Sequence, residues 1–533
     1  MSTSTLVYGV EDKPKWSKLL VFAFQQVLAV LSATIAVPTI IGLPVQIPAA
    51  ILGAGLGTIC YLLFTKFKSP VVISSSFAFL TALANAVAFG YMGIVLGSIF
   101  AGLVYVIIAI LVKFLGSGWV NKLMPPVIIG PTVALIGLSL AGSAMSSMVS
   151  ASGFTDDPAG LVNGGYNLIA IFCGLVTFLA VVICSVQNRF KNARLLPFII
   201  GIGAGYLVAS MFSIIGYATN NDYFKIINWN ALIDNFKNFS FTSILDYPRV
   251  GLVEGIKELA NGAPSRPIIE AYISNSAELT ALIKEDLALL GVQMADLSDS
   301  ALMDLIRSHN FDGPQLITGM GIAQVALAFV PVALVTFAEH IADHKNLSSI
   351  IDRDLLDEPG LSRTLLGDGV GSIVGTIGGI CPNTTYGESV GCVAITKNAS
   401  VRTILVAACM LIVLSFLTPI NKLLMTIPSC VMGGVCLTLY GFIAVSGLKM
   451  FKEVDLSESK NLFTVAAILI SGIGGLAIQI PYALESNGAV AKTIQITSIA
   501  TALLLGILTH FICEIVEKRN KPEENQPSEN EAE

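Results

Sequence analysis

Long apolar runs separated by short polar turns recur along the whole 533-residue chain. A run of about 20 apolar residues is long enough to cross a bilayer as a helix, so the pattern predicts a polytopic, all-α membrane protein. Fourteen hydrophobic elements are expected near 17–37, 45–65, 70–88, 91–114, 127–149, 166–186, 195–218, 315–343, 365–380, 385–397, 400–420, 427–448, 461–480 and 493–516. Those at 70–88, 365–380 and 385–397 are short or broken. Residues 1–16 lack an apolar core, which predicts a cytoplasmic N-terminal stretch and no cleavable signal peptide. The tail 517–533 is polar and acidic, and disorder is expected there.

One connection differs from the rest. Residues 219–314 are long and polar and fall between the seventh and eighth elements. Asn275-Ser-Ala-Glu278 reads as a capping box before Leu279, Leu282 and Ile283. Ser298 reads as the cap of a helix carrying Leu302, Leu305 and Ile306. A small external helical insertion is therefore expected.

Composition supports the membrane reading: 54% of residues are hydrophobic and 12% charged, against about 25% charged in soluble proteins. Charge then orients the chain. Lys66 and Lys68, Lys113 and Lys122, Arg189, Lys191 and Arg194, Lys345, Arg353 and Arg363, Lys397 and Arg402, and Lys449 and Lys452 fall in alternate loops. The intervening loops 38–48, 88–93 and 143–165 carry no Lys or Arg. Cation-rich loops stay in the cytoplasm, which puts both termini there. The insertion is on the opposite side, and residues 219–312 carry thirteen acidic and seven basic residues. The nine cysteines fall in or beside apolar runs without metal-ligand spacing and read as small packing residues; no metal site is expected.

Seven elements before the insertion and seven after it suggest a repeat, and an odd count requires the halves to be inverted. Corresponding interrupted segments in two halves are the best sequence pointer to a transport site. KSPVVISSSFAFLTA (68–82) and GGICPNTTYGESVGCVAIT (378–396) are such a pair. Pro70 and Pro382 prevent a continuous helix. Ser74, Ser75 and Ser76, and Thr384 and Thr385, can cap the half-helices that follow. Irregular backbone at membrane depth survives only where it is buried or lines a cavity. Two half-helix N-termini there offer free N–H groups.

Two carboxylates accompany this break. Glu339 ends the apolar run MGIAQVALAFVPVALVTFAE, and Glu388 lies in the broken segment. An isolated charge in hydrocarbon costs roughly 2.5–3.5 kcal/mol even on the lenient insertion scale, so such residues mark ion or substrate paths. Asp343 is four residues beyond Glu339 and shares its helix face. Two close, desolvated carboxyls resist carrying two charges, so the pair can hold a proton near neutral pH. His344 is turned about 100° from Asp343 and reads as a solvated histidine at a helix end. Asp368, before Gly369, reads as a local cap. N–H donors facing carboxylate acceptors fit a planar ring with alternating C=O and N–H edges, such as a pyrimidine or purine base.

At these residues the chain resembles the nucleobase-ascorbate transporters, and within them the bacterial uracil:proton symporters. CPNTTYGESVGCVAIT (381–396), FAEHIADH (337–344), DEPGLSRTLLGDG (357–369), SSSFAF (74–79), GPTVALIGLSLAG (130–142) and IPSCVMGGVCLTLYGFIAVSG (427–447) carry the resemblance. It covers nearly the whole chain except 246–313 and the tail. It implies fourteen segments in a 7+7 inverted repeat, with two short antiparallel strands in broken segments 3 and 10. It also implies a core domain (17–114 and 315–420) and a gate domain (127–218 and 427–516), the latter forming a homodimer contact. Glu339 and Glu388 match the residues that bind the base, and Phe77 and Gly387 match backbone amides that bind it. Phe77 and Tyr386 match ring-flanking aromatics, Ala33 a small residue facing the base, and Tyr440 a gate-domain aromatic. Glu339, Asp343 and Glu388 are the expected proton-coupling groups.

The implied activity is uracil import with protons across a bacterial plasma membrane. The partners are the nucleobase, the proton, the bilayer and a second copy of the chain, with no nucleic acid and no cofactor. The chain departs from the family pattern at three places. Asp343 stands where a histidine is found in the uracil symporters, as an acidic residue does in the purine branch. Gln25-Gln26 stands for a Gln-His pair, and Ser389 for an asparagine. The alternatives are a xanthine or other purine symporter and an anion exchanger or channel of the same 7+7 architecture. The segments 315–344 and 378–396 hold no Lys or Arg to face an anion. No nucleophile–base set or nucleotide loop suggests an enzyme.

Overall fold

The computed structural model describes residues 6–149, 167–187, 197–227, 247–290, 294–484 and 490–520, with 229, 233, 244, 245 and 292. Arg189, Lys191 and Arg194, most of the link 228–246, and tail residues 521–533 lie outside the described residues.

The first half comprises α1 (Trp16–Ile40), α2 (Ile47–Phe64), β1 (Ile73–Ser75), α3 (Leu80–Ala86), α4 (Gly90–Leu115), α5 (Gly118–Leu123), α6 (Pro126–Ser139), α7 (Ala141–Val149), α8 (Leu168–Val186) and α9 (Pro197–Thr219). The insertion follows as α10 (Gly251–Asn261), α11 (Arg266–Ser274), α12 (Ala277–Leu290) and α13 (Asp299–Ser308). The second half comprises α14 (Gly319–Ile351), α15 (Leu361–Ile377), β2 (Asn383–Thr385), α16 (Gly387–Thr396), α17 (Val401–Ser415), α18 (Thr418–Met425), α19 (Ser429–Lys449), α20 (Ser459–Ile473), β3 (Ile478–Leu484), β4 (Val490–Ile496) and α21 (Ser498–Asn520). Among the described residues nine helices are long and apolar enough to cross a membrane. The helices Val401–Ser415 and Ser459–Ile473 are apolar but shorter.

The two broken segments meet. β1 and β2 pair antiparallel, with Ile73 opposite Thr385, Ser74 opposite Thr384 and Ser75 opposite Asn383. Of the hydroxyl residues read as helix caps, Ser74, Ser75, Thr384 and Thr385 are strand residues instead. Ser76 and Tyr386 stand at the starts of the following helical turns, and neither makes a side-chain cap bond. Of the first α16 amides, that of Ser389 turns back to Tyr386 O at 3.0 Å, which leaves those of Gly387 and Glu388 without an intrahelical acceptor.

Close backbone approach fixes the frame around this pair. α15 packs on α2 and α4, α14 on α4, and α17 on α2. At Gly375 a Cβ would run into the Asn383 amide and the Gly53 carbonyl, so only glycine lets α2, α15 and β2 come together. Asn383 Nδ2 uses the gap to donate to Gly53 O at 2.9 Å. A second set of helices packs among itself: α19 on α6, α7 and α8, α9 on α8, and α20 on α6 and α21.

Four sequence expectations need correction. The helix carrying Glu339 does not end there; α14 runs to Ile351, and that carboxylate is well inside it. The element expected at 461–480 is shorter as a helix, because Gly474 and Gly475 stop α20, and the one expected at 493–516 starts later, because Ile478–Leu484 and Val490–Ile496 pair as antiparallel strands. The capping residue of α12 is Ser276, whose Oγ accepts from Leu279 N–H at 3.2 Å. Asn275 instead donates through Nδ2 to Ile41 O at 3.1 Å. Finally, α21 extends to Asn520, beyond the expected start of the tail. The cap at Ser298 is as expected, with Oγ accepting from Ala301 N–H at 3.2 Å.

The insertion has its own small core of Ile269, Ile273, Leu279, Ile283, Leu302 and Ile306. It is seated on the ends of α1 and α4 and on the turn before β2. Gly251 N–H donates to Gly379 O at 2.7 Å, and Glu258 Oε2 accepts from Tyr91 N–H at 2.9 Å.

Candidate substrate-binding site

A cavity of about 620 Å³ lies between the crossing of the broken segments and the second helix set. That volume is in the range of small-molecule sites. On one wall β1, β2 and the start of α16 contribute Ser75, Ser76, Phe77, Thr384, Thr385, Tyr386, Gly387 and Glu388, while α14 contributes Glu339, Ala342 and Asp343. The facing wall comes from α6, α9 and α19, with Val133, Phe198 and Phe442 among its residues. Lys449, at the end of α19, also lines it.

The structure brings six of the eight sequence-selected residues to the cavity: Glu339, Asp343, Glu388, Phe77, Tyr386 and Gly387. Ala33 and Tyr440 lie behind its wall, 0% and 2% exposed. Tyr440 packs edge-on against Phe77, ring centroids 5.1 Å apart. The Tyr386 hydroxyl turns away from the cavity toward Ser32 on α1, 3.5 Å from its Oγ, so the ring is anchored by its far end.

The carboxylates come from elements far apart in sequence. Glu339 and Asp343 are one helical turn apart on α14, and Asp343 is set against the α16 N-terminus, where a Cβ at Gly387 would be 3.5 Å from its Oδ1. Glu339 is within electrostatic reach of both Asp343 and Glu388. Asp343 Oδ2 and Glu388 Oε1 are buried atoms without a hydrogen-bond partner. A buried polar atom without a partner costs about 1–3 kcal/mol, and both oxygens carry that cost beside the cavity. With the first-turn amides of Gly387 and Glu388, the wall places acceptors and donors side by side on an otherwise apolar surface. Among the described residues no cluster of three or more His, Cys, Asp and Glu could hold a metal ion.

Two titratable residues are placed differently from the sequence expectation. His344 is buried, not solvated: its Nδ1 lies 2.8 Å from His340 O, and the Tyr61 hydroxyl is 2.7 Å from its Nε2. Asp368 is inside α15 and is not a cap; its Oδ2 is 2.7 Å from His340 Nδ1. His340 Nε2 is 3.1 Å from Thr364 Oγ1. The His340 and His344 rings stack at 4.0 Å. None of these residues lines the cavity, and the two histidines are turned about 100° round α14 from Glu339 and Asp343. Its only sequence signal was charge in an apolar run, which Asp368 and both histidines share with the cavity carboxylates. Lys449 was noted only as a topology cation, because nothing local to it points to a cavity.

Membrane-length helices, two broken segments paired through β1 and β2 and a cavity between two helix sets fit a multi-pass membrane protein, and the comparisons make it a transporter, not an enzyme. A model of the Permease family matches residues 17–255 and 288–480. The chain belongs to that family, the nucleobase-ascorbate transporters its motifs resemble. It is 31% identical over 514 residues to the uracil permease of Bacillus caldolyticus, covering 95% of this chain and 94% of that one. It is 29% identical over 491 residues to the uracil permease of Escherichia coli (strain K12), covering 91% of each. The fold is also that of the murine Slc26a9 anion transporter, with a TM-score of 0.52 at 11% identity, covering 95% of this chain and 69% of that one.

Proposed function

We propose that the protein imports uracil together with a proton across a bacterial plasma membrane. The observation that carries the reading is the cavity wall on which Glu339 and Glu388 stand beside the uncapped first turn of α16, at Gly387 and Glu388. Uracil presents N–H and C=O groups in one plane, and such a wall answers both. The uracil permeases to which the chain is similar support the choice of a pyrimidine. Phe77 and Tyr386 flank the ring, the Gly387 amide meets a carbonyl, and Ala33 and Tyr440 shape the site from behind.

In this reading the fourteen segments form a 7+7 inverted repeat. The helices packed around β1 and β2 are the core domain, and those around α19 are the gate domain, which also makes a homodimer contact. Both termini are cytoplasmic, so the cavity opens inward past Lys449. A carboxylate pair moving through hydrocarbon bears a large desolvation cost. Protonation within the Glu339–Asp343–Glu388 group removes one charge and lets the loaded core slide against the gate. Release of that proton inside restores the charge and weakens the site.

Radiolabelled uracil uptake into proteoliposomes, with and without an inward proton gradient and against a purine panel, tests the proposal. Gradient-driven uracil accumulation is expected, with Glu388→Gln lowering it at least tenfold at equal protein content. Wild-type uptake by that variant would refute the role of Glu388. Preferred competition by xanthine would move the substrate to the purines, a shift Asp343 makes worth measuring.

A further inference from the structure

The first helix of the insertion, α10, stands apart from the insertion's own core, whose buried residues all come from α11, α12 and α13. It is packed on the membrane-spanning body instead. A Cβ at Gly255 would be 3.0 Å from Met92 N, and one at Gly251 would be 3.0 Å from Gly379 O, so α10 lies across the start of α4 and the turn after α15. The 100° step of a helix then gives it three faces. Gly251, Gly255 and Glu258 face the body and are buried. Glu254 and Lys257 form a polar face, with their charges paired at 2.7 Å. Val253, Ile256 and Leu259 form an apolar face, 48%, 54% and 45% exposed. Gly262, with φ at +71°, ends the helix before the bundle α11–α13 begins.

We propose that α10 is an interfacial membrane helix whose Val253–Ile256–Leu259 face binds lipid at the boundary of hydrocarbon and headgroups. The surface of α4 carries the inference. Met92, on which Gly255 sits, opens a stripe that continues through Leu96, Ile99, Leu103, Ile107 and Ile110 at three- and four-residue steps. None of the six is buried, and Leu103, Ile107 and Ile110 are exposed. α4 is part of a membrane-length apolar helix, and such a stripe on it meets hydrocarbon. From Met92 to Phe114 the rise is about 33 Å, close to the thickness of the hydrocarbon core. α10 therefore crosses the stripe at its edge, the level where a short helix with one apolar and one charged side sinks its apolar face into the acyl boundary. Tyr247, 86% exposed and edge-on to Phe416, and exposed Arg249 precede the helix; both are residue types that anchor at headgroup level. Two apolar surfaces that run on from one another meet one solvent, which argues for lipid over a second copy of the chain. The dimer contact proposed above belongs, moreover, to the other helix set.

The test places the photoreactive residue benzoylphenylalanine at Leu103, Ile256 or Lys257, one position at a time. Each full-length protein is held in nanodiscs of phosphatidylethanolamine and phosphatidylglycerol, and lipid adducts are counted by mass spectrometry after illumination. All three side chains are exposed, so the probe displaces no packing. Leu103 sets the yield of a lipid-facing site. The yield at Ile256 is expected within about threefold of it, and that at Lys257 at least threefold below Ile256. No lipid adduct at Ile256 beside a full yield at Leu103 would overturn the proposal. Equal yields at Ile256 and Lys257 would overturn the oriented face. Cross-linking of Ile256 to a second copy in place of lipid would assign the face to a protein contact and overturn the lipid reading.

Discussion

Glu258 should control how firmly the external insertion is seated. Its carboxylate is 2% exposed and accepts three hydrogen bonds. Tyr91 N–H at the start of α4 donates to Oε2 at 2.9 Å, while Ser265 N–H and Oγ donate to Oε1 at 2.9 and 2.7 Å. The carboxylate caps α4 from a segment 167 residues away. Gly90 makes room for it, with φ at +69° and no space for a side chain beside Oε2. Glu258→Ala leaves the buried Tyr91 N–H without an acceptor, at about 2 kcal/mol. The Ser265 donors are partly exposed and can turn to water, adding about 1 kcal/mol. The total of about 3 kcal/mol corresponds to roughly a hundredfold increase in opening of the docked segment. Hydrogen exchange of the full-length protein in nanodiscs should show that increase at Tyr91 and across 251–275. Amides around Ile283 and Ile306, inside the insertion's own core, should change far less. Uptake should stay within about twofold, since no described residue of 251–308 lines the cavity. Unchanged exchange at 251–275 would refute the docking argument, and complete loss of uptake would refute the separation of insertion from site.

Gly375→Ala should push α2 and α15 apart at Gly53 and break the Asn383 bond, with an overpacking cost of about 1–3 kcal/mol; a lowered melting temperature in detergent checks it. Glu358 bridges Lys68 and Arg353, and these cations hold its carboxyl down to about 2, below the usual 4.5. A depressed carboxylate contributes stability above its ordinary value and loses it as pH falls toward the folded one. The melting-temperature difference between the unmodified chain and Glu358→Gln should therefore be constant above pH 5.5 and shrink only below about 4.5, and a difference already shrinking between pH 7 and 6 would contradict the assignment.

Apolar run lengths, the paired proline breaks and the spacing of Glu339 and Asp343 are local properties, and the sequence by itself determined them. Hydrocarbon demands about 20 apolar residues per span, proline denies a helix its interior bond, and a four-residue step shares a helix face. Those rules located Glu339, Asp343 and Glu388, while Phe77, Tyr386 and Gly387 came from the family resemblance. Tertiary structure decided the rest, because burial and partnership depend on which helices pack together. His344 and Asp368 were read as a helix-end histidine and a cap, yet Tyr61 of α2 closes on His344 and Asp368 of α15 packs against His340 of α14. Ser74, Ser75 and Thr385 were read as caps, yet a partner segment some 310 residues away turned them into strand. Gln26 and Ser389 were two unrelated departures along the chain, and only the crossing of α1 with α16 made them one contact.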